Sequence, residues 1–143
     1  MGSHSSILLI EDSPGEQELF RLALAQTGLD VALSTEQDAE AALHFLNTHT
    51  ALPTVILLDW HLGKQRGDAF LKRLRTDTRL AAIPVVVFTT SDDASDLSLA
   101  YASGATGYVV KPSTFTELIQ CATDICRYWL DRNRVPHTIG TPC

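Results

Sequence analysis

The chain alternates short apolar runs with longer segments in which apolar residues recur at helical spacing. Five apolar runs stand out, at residues 7–10, 31–33, 55–58, 85–88 and 108–110. Each run is too short for a typical helix, and its apolar residues are continuous rather than alternating with polar ones. This pattern is typical of parallel strands buried on both faces.

The segments between these runs are predicted to be helices. The first begins with an N-cap residue, Ser13, a proline at the first helical position and a glutamate, Glu16, that completes a capping box. Its repeat at helical spacing is Leu19, Leu22, Ala23 and Gln26. Further helices are predicted over residues 39–46, 68–75 and 92–103. The last one has the clearest apolar stripe and is predicted to run from residue 115 to about 130.

Strand and helix therefore alternate five times along the chain, which predicts an α/β fold with helices on both faces of a parallel sheet. Right-handed crossovers leave few topologies for such a sheet. The best fit is a doubly wound, flavodoxin-like, five-stranded sheet with strand order 2-1-3-4-5.

Composition narrows the class of protein. The chain has 143 residues, of which 45% are hydrophobic and 20% charged, as expected for one soluble globular domain. A net charge of −6 argues against nucleic-acid binding, and no apolar run is long enough to cross a membrane. Three cysteines do not form a disulfide framework, which favours a cytoplasmic location.

Polar residues follow the predicted strands at the edge of the sheet where ligands bind in this kind of fold. They are Glu11, Asp12, Asp59, Thr89 and Lys111. Carboxylates that lie close together raise one another's pKa unless a cation joins them, and Mg²⁺ is the usual cation at such oxygen ligands.

Such a site suits a phosphoryl group, because a cation and a lysine can neutralise its charge and a hydroxyl can bind one of its oxygens. An aspartate can itself be the nucleophile and form an aspartyl phosphate. Asp59 directly follows the central strand and is the best candidate.

These residues and their spacing resemble the receiver domain of two-component response regulators over residues 6–130. Residues 1–5 then form a tag-like start and residues 131–143 a C-terminal tail. The family's acidic pair matches Glu11 and Asp12, and its phosphoacceptor matches Asp59. Its further motif positions match Gly67, Thr89, Tyr108, Lys111 and Pro112. Residues 83–91 are most similar to single-domain regulators that pair with bacterial phytochrome histidine kinases.

The resemblance implies a role for each matching residue. Asp12, Asp59 and the backbone carbonyl of His61 would bind Mg²⁺, for which Mn²⁺ can substitute, and Glu11 would act through a coordinated water. Backbone amides of Trp60 and Thr90 would hold the phosphoryl group. The Lys111–Pro112 peptide is expected to be cis. Thr89 and Tyr108 would be the switch residues.

The implied function is that of a single-domain response regulator in the cytoplasm, not an enzyme. A sensor histidine kinase, with a bacteriophytochrome as the candidate, would phosphorylate Asp59. Phosphorylation would then change an output face made of the fourth helix, the fifth strand and the last helix, which could also form a homodimer. Contacts with nucleic acid or membrane are not expected.

Two alternatives remain beside this function. The first is a scaffold with the same fold that works without phosphorylation. The second is an Asp-nucleophile phosphohydrolase, although Asp59-Trp60-His61 lacks the second aspartate of the D-x-D motif. One departure from the family also carries a prediction: Gly63 stands where a proline is common, so the loop over residues 63–67 is expected to be more mobile.

Overall fold

The computed structural model describes residues 5–132 of the chain. Most of the predicted tag-like start, and the predicted tail from residue 133 onward, lie outside the described residues. Within the described part, no helix is both long enough and apolar enough to span a bilayer.

In the part of the chain that the structure describes, seven strands form one large sheet and one small hairpin. They are β1 (Ser6–Ile10), β2 (Ala32–Glu36), β3 (Val55–Leu58), β4 (His61–Leu62), β5 (Gln65–Arg66), β6 (Val85–Thr89) and β7 (Gly107–Val110). The large sheet has the order β2-β1-β3-β6-β7, and each neighbouring pair is parallel. Because β4 and β5 pair only with each other, this is the predicted order for five sheet strands, and the prediction is confirmed.

Within the described residues, five α-helices alternate with the strands of the large sheet, and the last of them follows the final strand. They are α1 (Pro14–Gln26), α2 (Ala39–Thr48), α3 (Asp68–Thr76), α4 (Ala94–Ser103) and α5 (Phe115–Ile125). The side chain of Ser13 caps α1 by accepting a hydrogen bond from the amide of Glu16, as its sequence signature indicates. Helix α4 begins two residues later than predicted because Asp93 is its N-cap.

The chain changes its helical geometry after α5. Residues Cys126–Arg132 form a π-helix, so the predicted single helix becomes two elements and extends two residues into the predicted tail. Trp129 of this π-helix packs on Gly107, where a Cβ atom would lie 3.1 Å from the tryptophan ring. The sequence pattern could not show this change, because the apolar stripe continues through it.

Two hydrophobic clusters lie on opposite faces of the sheet. Leu8, Ile56 and Leu58 contribute to the cluster beneath α2, α3 and α4. Ile7 and Leu57 contribute to the one beneath α1 and α5. Alternate residues of the inner strands β1, β3 and β6 thus enter different clusters, which explains why these strands carry continuous apolar runs.

The predicted apolar face of α1 is partly wrong. Ala23 is buried as predicted, but Leu19 and Leu22 are exposed, and Phe20 and Leu24 are buried instead. The helix is turned so that the Phe20 ring meets the Phe88 ring of β6 edge-on, with centroids 5.7 Å apart. The helix therefore buries an aromatic contact in preference to the two leucines.

Candidate functional site

Three carboxylates meet beyond the carboxyl ends of β1 and β3. The amide of Asp59 donates to the carbonyl of Ile10 at 3.0 Å, so the pairing of the two strands holds Asp59 beside Glu11. Glu11, Asp12 and Asp59 each place a carboxylate oxygen within 4.8 Å of the others. The structure therefore brings the predicted acidic cluster together.

The donor set of this cluster fits a hard divalent cation. All three side chains offer carboxylate oxygens, which Mg²⁺ and Mn²⁺ accept as ligands. Glu11 and Asp59 are buried, while Asp12 is exposed and opens the cluster to solvent. Because a buried carboxylate is costly without a compensating charge, a bound cation would relieve the cluster.

The short hairpin of β4 and β5 closes one side of the cluster. The amide of Gly63 donates to Asp12 Oδ2 at 2.9 Å, and Gly63 has φ of +61°, which glycine adopts without strain. In the loop over residues 63–67, Gln65 and Arg66 pair with β4 as strand β5, and the mobility of this loop stays a prediction. At its end, Gly67 is packed against Leu58, where a Cβ atom would lie only 2.9 Å from a leucine methyl.

Lys111 brings a positive charge to the same place. Its Nζ donates to Glu11 Oε1 and to Glu16 Oε1 at 3.3 Å, and it lies 3.7 Å from Asp59 Oδ2. Its amide donates to the carbonyl of Thr89 at 2.7 Å, which continues the pairing of β6 and β7 beyond their ends. The predicted lysine is therefore beside the predicted acceptor.

The prediction of a cis peptide at Lys111–Pro112 is wrong for this structure. No cis peptide bond occurs among the described residues, so the bond is trans. Trans is the preferred form even before proline. With the bond trans, the lysine ammonium already reaches both Glu11 and the vicinity of Asp59.

Burial shapes the ionisation of this pair. It raises the pKa of Glu11 to about 7, although the hydrogen bond from Lys111 acts in the opposite direction. For Lys111, burial lowers the pKa, but the bond to Glu11 and the charges of Asp59, Glu11 and Glu16 outweigh it and the pKa ends above its ordinary value. Lys111 is therefore charged at neutral pH, whereas burial opposes the charge of Glu11.

Thr89 ends β6 and is buried at the site, and its Oγ1 accepts a hydrogen bond from the amide of Ser91 at 3.5 Å. Thr90, the next residue, is exposed. The side chain of Trp60 is fully buried in the core beneath the site. The roles given to the backbone amides of Trp60 and Thr90 and to the carbonyl of His61 stay predictions.

A hydrogen-bond network joins the hairpin to α4 and β7. Asp96 Oδ2 accepts from Ser91 Oγ at 2.8 Å and lies 3.1 Å from His61 Nε2. The hydroxyl of Tyr108 donates to the carbonyl of Ser91 at 2.8 Å. Sequence reasoning found His61 and Tyr108 but missed Asp96, whose signal was only its place in the first turn of the helix after Thr89.

Together these residues place three carboxylates beside a lysine, with Thr89 buried at the end of the adjoining strand β6. Such a set can bind a phosphoryl group and balance its negative charge. Asp59 is buried, and Asp12 beside it is exposed to solvent. The arrangement therefore supports transfer of a phosphoryl group to Asp59.

Comparison with known proteins agrees with this geometry. The family model of the response regulator receiver domain matches residues 7–123. The probable methanogenesis regulatory protein FilR2 of Methanothrix harundinacea is 37% identical, over 91% of this chain and 86% of that protein. The response regulator Rcp1 of Synechocystis is 31% identical, over 91% of this chain and 92% of Rcp1.

Solved structures give the same result. The phosphorylated cyanobacterial phytochrome response regulator RcpA is similar with a TM-score of 0.84 and 29% identity, over 94% of this chain and 100% of RcpA. The Mn²⁺-bound form of Rcp1 is similar with a TM-score of 0.79 and 30% identity, over 93% of this chain and 99% of Rcp1.

Proposed function

Because the chain belongs to the response regulator receiver domain family, we propose that Asp59 accepts a phosphoryl group from a sensor histidine kinase. The observation that carries this proposal is the meeting of Glu11, Asp12 and Asp59 within 4.8 Å beside the ammonium of Lys111. The ammonium of Lys111, 3.7 Å from Asp59 Oδ2, is the group that would favour an added anion there.

The transfer would be a substitution at phosphorus. An oxygen of Asp59 forms the new bond to phosphorus, and the bond between phosphorus and the histidine nitrogen breaks. The nitrogen keeps the electron pair and takes a proton from water. Glu11, Asp12 and Asp59, with the carbonyl of His61, are proposed to hold Mg²⁺, which when bound neutralises the phosphoryl oxygens.

Lys111 and Thr89 are proposed to bind the phosphoryl group once it is on Asp59. Lys111 is charged and lies 3.7 Å from an oxygen of Asp59, so a small movement brings it to the added group. Thr89 is buried at the adjoining strand end. The phosphoryl group adds a charge of about −1.5 to −2, which is enough to rearrange the local hydrogen bonds.

The signal is proposed to leave through α4, β7 and α5. Tyr108 on β7 is hydrogen-bonded to the loop that follows Thr89, so a shift of Thr89 would release or turn its ring. Leu97, Tyr101 and Val110 are exposed on α4 and β7 and give this surface an apolar character. This exposed surface supports a homodimer or a protein partner rather than nucleic acid, which the net charge of −6 disfavours.

The kinase is proposed to be of the bacteriophytochrome type, acting in the cytoplasm. The support is the similarity to Rcp1 and to the phytochrome response regulator RcpA over nearly the whole length of both. The protein would be the acceptor in this relay and not an enzyme that turns over a substrate. The test is phosphotransfer from a purified, autophosphorylated bacteriophytochrome, with an unrelated phosphorylated kinase as the control.

Acetyl phosphate tests the acceptor reaction without a kinase. We expect the protein to gain the mass of one phosphoryl group in Mg²⁺ and none in excess EDTA. Absence of the adduct, together with no binding of beryllofluoride, would favour the phosphorylation-independent scaffold. The protein could instead release phosphate continuously from small esters, at a rate that Asp59→Asn does not change. That result would contradict both the proposed function and the assignment of Asp59 as the acceptor.

A further inference from the structure

Glu16 contacts the lysine of the site although it belongs to none of the residues assigned to it. Lys111 Nζ lies 3.3 Å from Glu16 Oε1 and 3.7 Å from Asp59 Oδ2, so Glu16 is the nearer of these two carboxylates. The sequence gives Glu16 a capping role at the start of α1. In the structure only its backbone amide serves the cap, by donating to Ser13 Oγ at 3.2 Å.

The two members of the pair differ in their exposure to solvent. The Lys111 side chain is 10% exposed, whereas that of Glu16 is 46% exposed. A cavity of about 160 Å³, lined in part by Glu16, Lys111 and Phe88, adjoins the pair and leaves room for the two side chains to separate. Glu16 can therefore hold or release the lysine without a change in the backbone of α1.

We propose that Glu16 is a positioning residue that holds Lys111 away from the acceptor and so restrains phosphorylation of Asp59. This inference rests on the proposed function. Two physical effects act in the same direction. The carboxylate of Glu16 attracts the ammonium that the phosphoryl group needs, and it repels the incoming phosphate.

The variant Glu16→Gln removes the charge and keeps the shape and the backbone cap. Glu18→Gln is the matched control, because Glu18 lies on the same helix and pairs with Arg21 at 3.4 Å instead of Lys111. We expect Glu16→Gln to raise the initial rate of labelling by acetyl phosphate about twofold to fivefold, as befits a partly exposed ion pair. Glu18→Gln should leave the rate within the error of the wild type.

Two further readouts separate positioning from a general structural effect. The rate difference should shrink at about 1 M salt, where the screening length falls to about 3 Å. In metal-free, unphosphorylated protein, the ¹⁵N resonance of the Lys111 ammonium should shift in Glu16→Gln, return toward its wild-type position in Glu16→Asp and stay in place in Glu18→Gln.

The outcomes distinguish this inference from the function on which it rests. Equal labelling of the wild type, Glu16→Gln and Glu18→Gln would overturn the role of Glu16 and leave the acceptor intact. An unmoved Lys111 resonance in Glu16→Gln would overturn it as well. Failure of all three proteins to be labelled would instead overturn the proposed acceptor reaction.

Discussion

The hydroxyl of Tyr108 donates a 2.8 Å hydrogen bond to the backbone carbonyl of Ser91. This bond joins β7 to the loop that leaves the site after Thr89. The same loop is held by Asp96, which accepts from Ser91 Oγ. A change at the end of β6 can therefore reach the surface of α4 and β7 through the two hydrogen bonds that Ser91 makes.

Loss of the Tyr108 bond should cost stability. Tyr108→Phe leaves the ring in place and the Ser91 carbonyl without this donor, so we expect a loss of about 0.5–1.5 kcal/mol in the free energy of unfolding. Urea denaturation of both proteins gives the difference. Tyr101→Phe is the control, because the Tyr101 side chain is half exposed and its loss of a hydroxyl should change little.

The buried carboxyl of Glu11 should make stability depend on pH. Folding raises its pKa to about 7, so its contribution to stability is present at low pH and is lost as the pH rises through about 7. The side chain in Glu11→Gln does not ionise, so this variant does not lose that contribution as the pH rises. In EDTA, the free energy of unfolding of Glu11→Gln relative to that of the wild type should therefore rise between pH 5 and pH 8 by on the order of 1–3 kcal/mol. A stability difference that is the same at both pH values would contradict this account.

Asp12 should be needed for the cation. Removal of one of three carboxylates weakens an oxygen site, so Asp12→Asn should bind Mg²⁺ at least about tenfold more weakly than the wild type. Calorimetric titration measures the affinity, and Asp92→Asn, which changes an exposed carboxylate outside the cluster, is the control. Equal affinity in the wild type and Asp12→Asn would place the ion elsewhere.

Gly104 should be the least replaceable of the glycines at helix ends. It caps α4 with φ of +115°, and a Cβ there would lie 2.8 Å from Arg75 Cγ. Arg75 also donates to the Gly104 carbonyl at 2.9 Å. Gly104→Ala should cost about 1–3 kcal/mol.

Gly28→Ala is the control for this effect. Gly28 has φ of +73° but no atom near its missing Cβ, so this variant carries the backbone strain alone. Thermal or urea denaturation should show a smaller loss for Gly28→Ala than for Gly104→Ala. Equal losses would mean that contact with Arg75 contributes nothing.

The three inner strands, β1, β3 and β6, could be predicted because each carries a short, continuous apolar run that a polar residue follows. The buried face of α1 could not be predicted in full. Leu19, Phe20 and Leu22 are all apolar, and only the Phe20–Phe88 contact decides which of them is buried. The π-helix was missed for a similar reason: it depends on how Trp129 packs over Gly107, which lies on another element.

The acidic cluster and Lys111 could be predicted because the ends of parallel strands meet at one edge. The contacts that individual side chains make across elements could not be predicted from the sequence. Asp96 and Glu16 sit in first turns of helices, where acidic residues are common for their effect on the helix alone. The structure shows that one of them reaches His61 and the other Lys111.

The identity of the phosphorylated residue tests the central claim most directly. The protein is labelled with acetyl phosphate in Mg²⁺, reduced with borohydride, which converts an aspartyl phosphate to homoserine, and digested for peptide sequencing by mass spectrometry. We predict homoserine at position 59 in the wild type and at no position in Asp59→Asn. Homoserine at position 12, or undiminished labelling of Asp59→Asn, would contradict the account.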